Sequence, residues 1–92
     1  MKLIHTTNPE AARGILSEGF RDSDEERDQG RLYRGSWFSD VQLKEIGSVF
    51  LTISLPDVIA QQYELRGDLH GYRRWLIPAN VLASYGPAQK VD

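Results

Sequence analysis

The chain has 92 residues, a formal net charge of -2 and no cysteine. This length suits one domain with a single modest hydrophobic core, and the lack of cysteine excludes a disulfide framework and a thiolate metal site. The negative charge argues against a broad basic face for nucleic acid, and no apolar run is long enough to span a membrane or to form a signal-peptide core. We therefore expect one cytoplasmic domain over residues 1–92, with no metal site, no membrane association and no nucleic-acid partner.

The N-terminal residues predict a strand followed by a helix. Residues 2–6 read as a strand that carries His5 near its end. Asn8 is the expected N-cap of the helix, Pro9 takes the first helical position, and Gly19 is the expected C-cap. The stripe of this helix that we expect to be buried is Ala12, Ile15 and Leu16.

An acidic segment follows the helix. Residues 22–30 contain no apolar side chain, which is typical of a solvated loop. Two interpretations fit this composition: a mobile cover over a cleft, or a disordered surface loop.

A strand over residues 32–39 carries the most informative stretch of the sequence. Gly35 allows a second backbone to approach closely. Trp37 and Phe38 are neighbours in a pleated strand, so they must face opposite sides of the sheet. One aromatic ring can then enter the core while the other stands over a cleft. Asp40 follows as the expected N-cap of a short helix that Gly47 ends.

The second half of the chain predicts short elements. Residues 48–55 alternate between apolar and polar side chains and form the clearest predicted strand. The remaining expected elements are a short helix from Pro56 with Val58, Ile59 and Tyr63 on its apolar side, a turn over Gly67–Gly71, a strand over 72–77, a helical turn over 79–85 and a tail or short strand over 86–92. Because strands and helices mix without regular alternation, the predicted class is α+β, with small, mainly antiparallel sheets and helices packed on one side.

Three separated segments of the chain resemble the ADP-ribosyltransferase fold in its diphtheria-toxin and poly(ADP-ribose) polymerase branch. They are Ile4-His5-Thr6-Thr7 with its following helix, Gly35-Ser36-Trp37-Phe38-Ser39-Asp40, and Arg74-Trp75-Leu76-Ile77. That branch looks like a strand with His-x-Thr, a strand with Gly-x-Tyr-Phe-Ala-Asp and a late strand with a catalytic glutamate. The resemblance implies a cleft for NAD or a related nucleotide.

The resemblance also implies roles for individual residues. His5 would bind ribose hydroxyls, Trp37 would stack on the nicotinamide ring, and the backbone at Thr6 would bind the carboxamide. These side chains suit the roles chemically, since imidazole hydrogen-bonds hydroxyls and a flat aromatic ring stacks on a pyridinium ring. Ser39 and Glu45 are further expected cofactor-binding residues of the pocket.

The sequence departs from the pattern at the catalytic position. Arg74 stands where the resemblance implies the glutamate that stabilises an oxocarbenium-like transition state. A guanidinium repels such a cation, and loss of an electrostatic contact of this kind costs on the order of 10²- to 10³-fold in rate. We therefore expect nucleotide binding to be retained more surely than transfer, with His5 and Arg74 as the catalytic candidates.

Several alternatives remain open from the sequence. Glu64 could replace the missing glutamate, or Arg73 and Arg74 beside His5 could serve phosphate chemistry, as in the related RNA 2'-phosphotransferases. The chain could also be a toxin whose target supplies the acid. An alternative of another class is a non-catalytic inhibitor or adaptor from a phage or mobile element that binds a host protein stoichiometrically.

Overall fold

A computed structural model describes residues 1–67 and 70–91, which form seven strands and three helices. In chain order they are β1 (Lys2–Thr7), α1 (Pro9–Glu18), β2 (Asp24–Asp28), β3 (Arg31–Ser39), β4 (Val49–Ser54), α2 (Asp57–Gln61), β5 (Glu64–Leu65), β6 (Arg74–Ile77), α3 (Ala79–Leu82) and β7 (Gln89–Lys90). This is a small α+β fold with short helices, which confirms the predicted class at that level. None of the helices in these ranges is long and apolar enough to cross a membrane.

The strands form one antiparallel sheet with the order β5-β6-β3-β1-β4-β7, and β2 pairs with β3. The long strand β3 changes partner along its length: residues 31–35 pair with β2, whereas residues 36–39 pair with β6. The N-terminal strand β1 lies between β3 and β4, and its six residues pair with β4 without interruption. Two segments that are distant in sequence, β1 and β6, therefore flank the second half of β3.

The core lies between the sheet and the three helices. Leu3 opposes Ile53, and Phe38 opposes Trp75, so that these side chains share one face of the sheet. The main core cluster is Leu3, Phe38, Ile53, Leu55, Ala60, Trp75, Ile77 and Leu82. Burying one large apolar side chain stabilises the fold by roughly 1.5–3 kcal/mol. The helices thus pack on one side of the sheet, as predicted.

The first helix forms as the sequence predicts. The Asn8 Oδ1 accepts a hydrogen bond from the Ala11 N–H at 2.8 Å, and Pro9 takes the first helical position. Gly19 ends the helix with φ 90°. The prediction that Leu16 is buried is wrong, because α1 packs on β4 through Ala12 and leaves Leu16 43% exposed.

The prediction of a loop over residues 22–30 is wrong. Asp24–Asp28 forms β2, which makes a hairpin with β3 through Gln29 and Gly30. Both turn residues have positive φ, 51° and 80°, as a two-residue hairpin turn of this hand requires. The strand is exposed along nearly its whole length, and a charged edge strand discourages pairing with other chains. No apolar alternation could reveal it, because it has no buried face.

The prediction of a helix after Asp40 is also wrong. A turn closes there instead, with the Ile46 N–H donating to the Leu43 carbonyl at 3.0 Å. The Asp40 carboxylate accepts from the Arg73 N–H at 3.2 Å and so joins the end of β3 to β6 rather than capping a helix.

Three further predictions concern the second half of the chain. The helix α2 buries Ala60, whereas Val58, expected on its apolar side, is 64% exposed. The final residues include the short strand β7, which pairs with β4. The turn expected over Gly67–Gly71 includes positions 68 and 69, which lie outside the described residues, as does position 92.

Candidate functional site

A cleft opens where β1 and β3 separate. In the described part of the chain the two strands share one registered pair, Ile4 opposite Ser39, and beyond it β1 continues only with β4. The cleft has a volume of about 810 Å³ and is lined by β1, β3, α1 and the segment between α1 and β2. This volume falls within the range of roughly 300–1,000 Å³ that small-molecule sites occupy.

His5 lies in the gap between the separating strands. Its Nδ1 is 2.6 Å from the Trp37 carbonyl oxygen. A carbonyl can only accept, so Nδ1 carries the hydrogen and Nε2 is the acceptor of the neutral ring. The imidazole packs against the rings of Phe20 and Phe38, with centroids 5.4 and 5.6 Å away, and these two rings also contact each other. Burial lowers the pKa of His5, although the bond to the Trp37 carbonyl opposes this, and the neutral form is therefore favoured.

Trp37 and Phe38 face opposite sides of the sheet, as predicted. Phe38 is 2% exposed and belongs to the core, whereas Trp37 is half-buried, and both residues line the cleft. Gly35 permits this arrangement: a Cβ at that position would lie 1.7 Å from the Ile77 carbonyl oxygen. The close approach of β3 to β6 therefore fixes the position of β3, the strand that carries Trp37.

Arg74 lies beside Trp37 on the same face of the sheet. It opposes Ser39 on β3, and its guanidinium carbon is 4.4 Å from the centroid of the Trp37 ring. This is a cation–π contact of short distance. Arg74 also lines the cleft.

Thr6 and Ser39, both predicted for the site, also line the cleft. The Thr6 hydroxyl oxygen accepts from the Leu43 N–H at 3.4 Å, and the Ser39 hydroxyl donates to the Val41 carbonyl at 2.6 Å. Both bonds fix the turn after β3, so these side chains shape the wall of the cleft. Glu45 is exposed, and the described lining of the cleft does not include it.

Glu64 is bonded to Arg73 and is not among the lining residues of the main cleft. Its two carboxylate oxygens accept from Arg73 Nε and Nη2 at 2.9 and 2.7 Å. The hydrogen bond from Arg73 lowers the pKa of Glu64. Both residues line a second, smaller cavity of about 380 Å³ rather than the main cleft. Arg73 is therefore not among the lining residues of the main cleft, which include His5 and Arg74.

The cleft includes residues that the sequence did not single out. Two carboxylates, Glu10 and Asp24, and a second arginine, Arg21, line it. On α1, the lining includes two small residues, Ala11 and Gly14, and their spacing of three places them on one face of the helix. Two small residues three positions apart on an exposed helix face are the sequence feature that could have indicated this wall of the cleft. Within the described ranges, no group of three or more His, Asp or Glu side chains is placed to hold a metal ion.

A scan against protein-family models found no match, and neither did the searches of curated proteins and of solved structures.

Proposed function

We propose that the chain is a minimal ADP-ribosyltransferase-like domain whose cleft binds NAD or a related nucleotide. The observation that carries the proposal is the meeting of three separated segments. His5, Trp37 and Arg74 all belong to the lining of one cavity of about 810 Å³. An apolar cleft of this size with a few convergent polar groups suits a ligand of nucleotide dimensions.

The proposed contacts follow from the chemistry of each side chain. Burial favours the neutral form of His5, and its bond to the Trp37 carbonyl orients the ring, so that Nε2 can accept a hydrogen bond from a ribose hydroxyl. The indole of Trp37 offers a flat surface on which a base or a pyridine ring can stack. Ala11 and Gly14 on α1 leave room for the ligand on the opposite wall.

The proposed binding of a nucleotide in this cleft does not imply ordinary ADP-ribosyl transfer. The resemblance implies that the oxocarbenium-like transition state needs a negative charge at position 74, and this position supplies a positive one. Glu64 is held by Arg73 at another cavity. We therefore propose a nucleotide-binding domain that lacks the usual transfer chemistry.

Isothermal titration with NAD, NADH and ADP-ribose, each to millimolar concentration, tests the proposal, with protein NMR to locate the site. At least one ligand should bind and shift the signals of the Trp37 indole and the His5 ring. Trp37→Ala should weaken binding by about 5- to 150-fold, the usual range for one stacked base. Tyr85→Ala is the matched control, because this aromatic is exposed and lies outside the lining of the cleft.

The proposal fails if none of the three nucleotides binds or shifts either ring. It also fails if Tyr85→Ala weakens binding as much as Trp37→Ala, since the ligand would then not depend on the cleft. Transfer of labelled ADP-ribose by the wild-type chain, abolished by His5→Gln, would refute the claim that transfer is lost.

A further inference from the structure

The strand β2 has an outer edge that no other strand covers in the described part of the chain. It pairs with β3 along its other edge, and it takes no further place in the order of the sheet. Four of its five residues are exposed. A strand edge of this kind presents backbone N–H and C=O groups to which an extended segment can add as a further strand.

The register of the hairpin identifies the backbone groups of the outer edge. The two-residue turn makes Asp28 and Arg31 a hydrogen-bonded pair, and such pairs recur at every second residue of the ladder. The Gly35 carbonyl accordingly faces the β2 side, where it accepts from a backbone N–H at 3.1 Å. The backbone groups of Glu25 and Arg27 therefore point away from β3, and no hydrogen bond within the described ranges uses them.

One face of β2 is acidic. Asp24, Glu26 and Asp28 alternate along the strand, so their carboxylates lie on the same face. Asp28 is bonded to the backbone after β5, whereas Asp24 and Glu26 form no hydrogen bond or ion pair with another described residue. The charge of Glu26 also raises the pKa of Arg74. A segment that adds to the outer edge therefore meets carboxylates on this face.

These charges decide which kind of chain can add to the edge. Two copies of β2 would bring their acidic faces together, and like charges directly opposite each other destabilise a sheet. The edge therefore resists pairing with a second copy, whereas a basic segment would form pairs of opposite charge. Asp24 also lines the cleft, so a segment bound along β2 would reach the mouth of the cleft.

We propose that the outer edge of β2 binds an extended basic peptide segment of a protein partner, which adds to the sheet as an antiparallel strand. Its backbone bonds to Glu25 and Arg27, and its lysine or arginine side chains lie opposite Asp24 and Glu26. In antiparallel pairing, the residues opposite Asp24 and Glu26 turn their own N–H groups away from β2. Basic side chains and backbone donors therefore come from alternate positions of the segment. The inference goes beyond the proposed function and involves no nucleotide.

The test uses an octapeptide of alternating lysine and threonine, titrated into the full chain and followed by calorimetry and NMR. Binding should shift the amide signals of residues 24–28. It should also slow hydrogen exchange at the amides of Glu25 and Arg27, which β3 does not protect. The same peptide with glutamate in place of lysine should bind about tenfold or more weakly, because like charges then lie opposite each other.

Methylation of the peptide nitrogens separates strand addition from charge attraction alone. Methyl groups on the threonine nitrogens remove the donors that face β2, which should weaken binding by about 5- to 150-fold, the value of two hydrogen bonds. The matched control carries its methyl groups on the lysine nitrogens, which face away from β2. It has the same charge and composition, and it should bind nearly as well as the unmethylated peptide.

A variant of the chain tests the acidic face. Asp24→Asn combined with Glu26→Gln should weaken binding of the lysine peptide by about 2- to 30-fold, the value of two exposed ion pairs. Glu45→Gln removes an exposed carboxylate outside β2 and should leave binding unchanged. Equal affinities of the two methylated peptides would overturn the inference. No binding of the lysine peptide, or equal binding of the glutamate peptide, would overturn it as well. These outcomes leave the proposed function standing, because no nucleotide takes part in the test.

Discussion

Replacement of Gly35 by alanine should destabilise the fold strongly. Gly35 has φ 146°, a conformation that side chains rarely adopt. A Cβ there would lie 1.7 Å from the Ile77 carbonyl oxygen, 2.1 Å from its carbon and 2.6 Å from the Pro78 nitrogen. All three are backbone atoms, so no side-chain rotation can relieve the overlap. The β3 and β6 backbones must therefore separate beside the pair of Ser36 and Ile77.

The expected cost has two parts. A non-glycine residue in a disfavoured backbone region costs about 1–3 kcal/mol. Loss of a ladder hydrogen bond between β3 and β6 adds about 0.5–1.5 kcal/mol. The total of about 1.5–4.5 kcal/mol is a large part of the roughly 5–14 kcal/mol typical of a domain of this size. It corresponds to a fall in Tm of about 6–36 °C.

Urea and thermal unfolding followed by circular dichroism measure this cost. Gly14→Ala is the matched control: it is the same chemical change on α1, where a Cβ meets nothing within 4 Å. It should stabilise the protein by about 0.5–1 kcal/mol, because alanine favours a helix over glycine. A Gly35→Ala variant within about 1 kcal/mol of wild type, or equal shifts in the two variants, would refute the reasoning.

Two further predictions concern an imidazole and a carboxylate that are each partly buried. Burial lowers the pKa of His5, so as the pH falls below its ordinary value of 6.5 the unfolded chain takes up a proton that the folded chain does not. The free energy of unfolding should therefore decrease between about pH 7.5 and about pH 5.5. This decrease should be smaller in His5→Gln, and His70→Gln should retain the His5 contribution; equal pH profiles for wild type and His5→Gln would contradict it. Asp28 accepts backbone hydrogen bonds at 2.8 and 3.1 Å from the segment after β5. Asp28→Asn should cost about 1–2 kcal/mol in urea unfolding, whereas Asp24→Asn on the same strand should cost less than about 0.5 kcal/mol, and equal losses would contradict this role.

The sequence predicted those elements whose cause is local. The Asn8 cap and Pro9 at the first helical position act within one turn, and they start α1 where predicted. The alternation over residues 48–55 identified β4 because one face of that strand is buried. Pleating alone placed Trp37 and Phe38 on opposite faces. In each case the decisive interaction joins residues close in sequence or follows a simple period.

Pattern analysis failed where an element lacks a buried face or a local partner. The strand β2 has charged residues throughout, and it forms because β3 supplies its hydrogen bonds. Asp40 looked like an N-cap, but the nearby Arg73 N–H competes for its carboxylate. That donor is 33 positions away, so no local rule could include it.

The sequence by itself determined the α+β class, the first helix and the residue types of the candidate site. The tertiary structure decided that β1 lies between β3 and β4, and that His5 bonds to the carbonyl of Trp37, 32 positions away. It also decided that Arg74 contacts the Trp37 indole and that Glu64 lines a separate cavity. The physical reason is that sheet order and register depend on the packing of the whole core, and side chains from distant strands meet only once that packing is set.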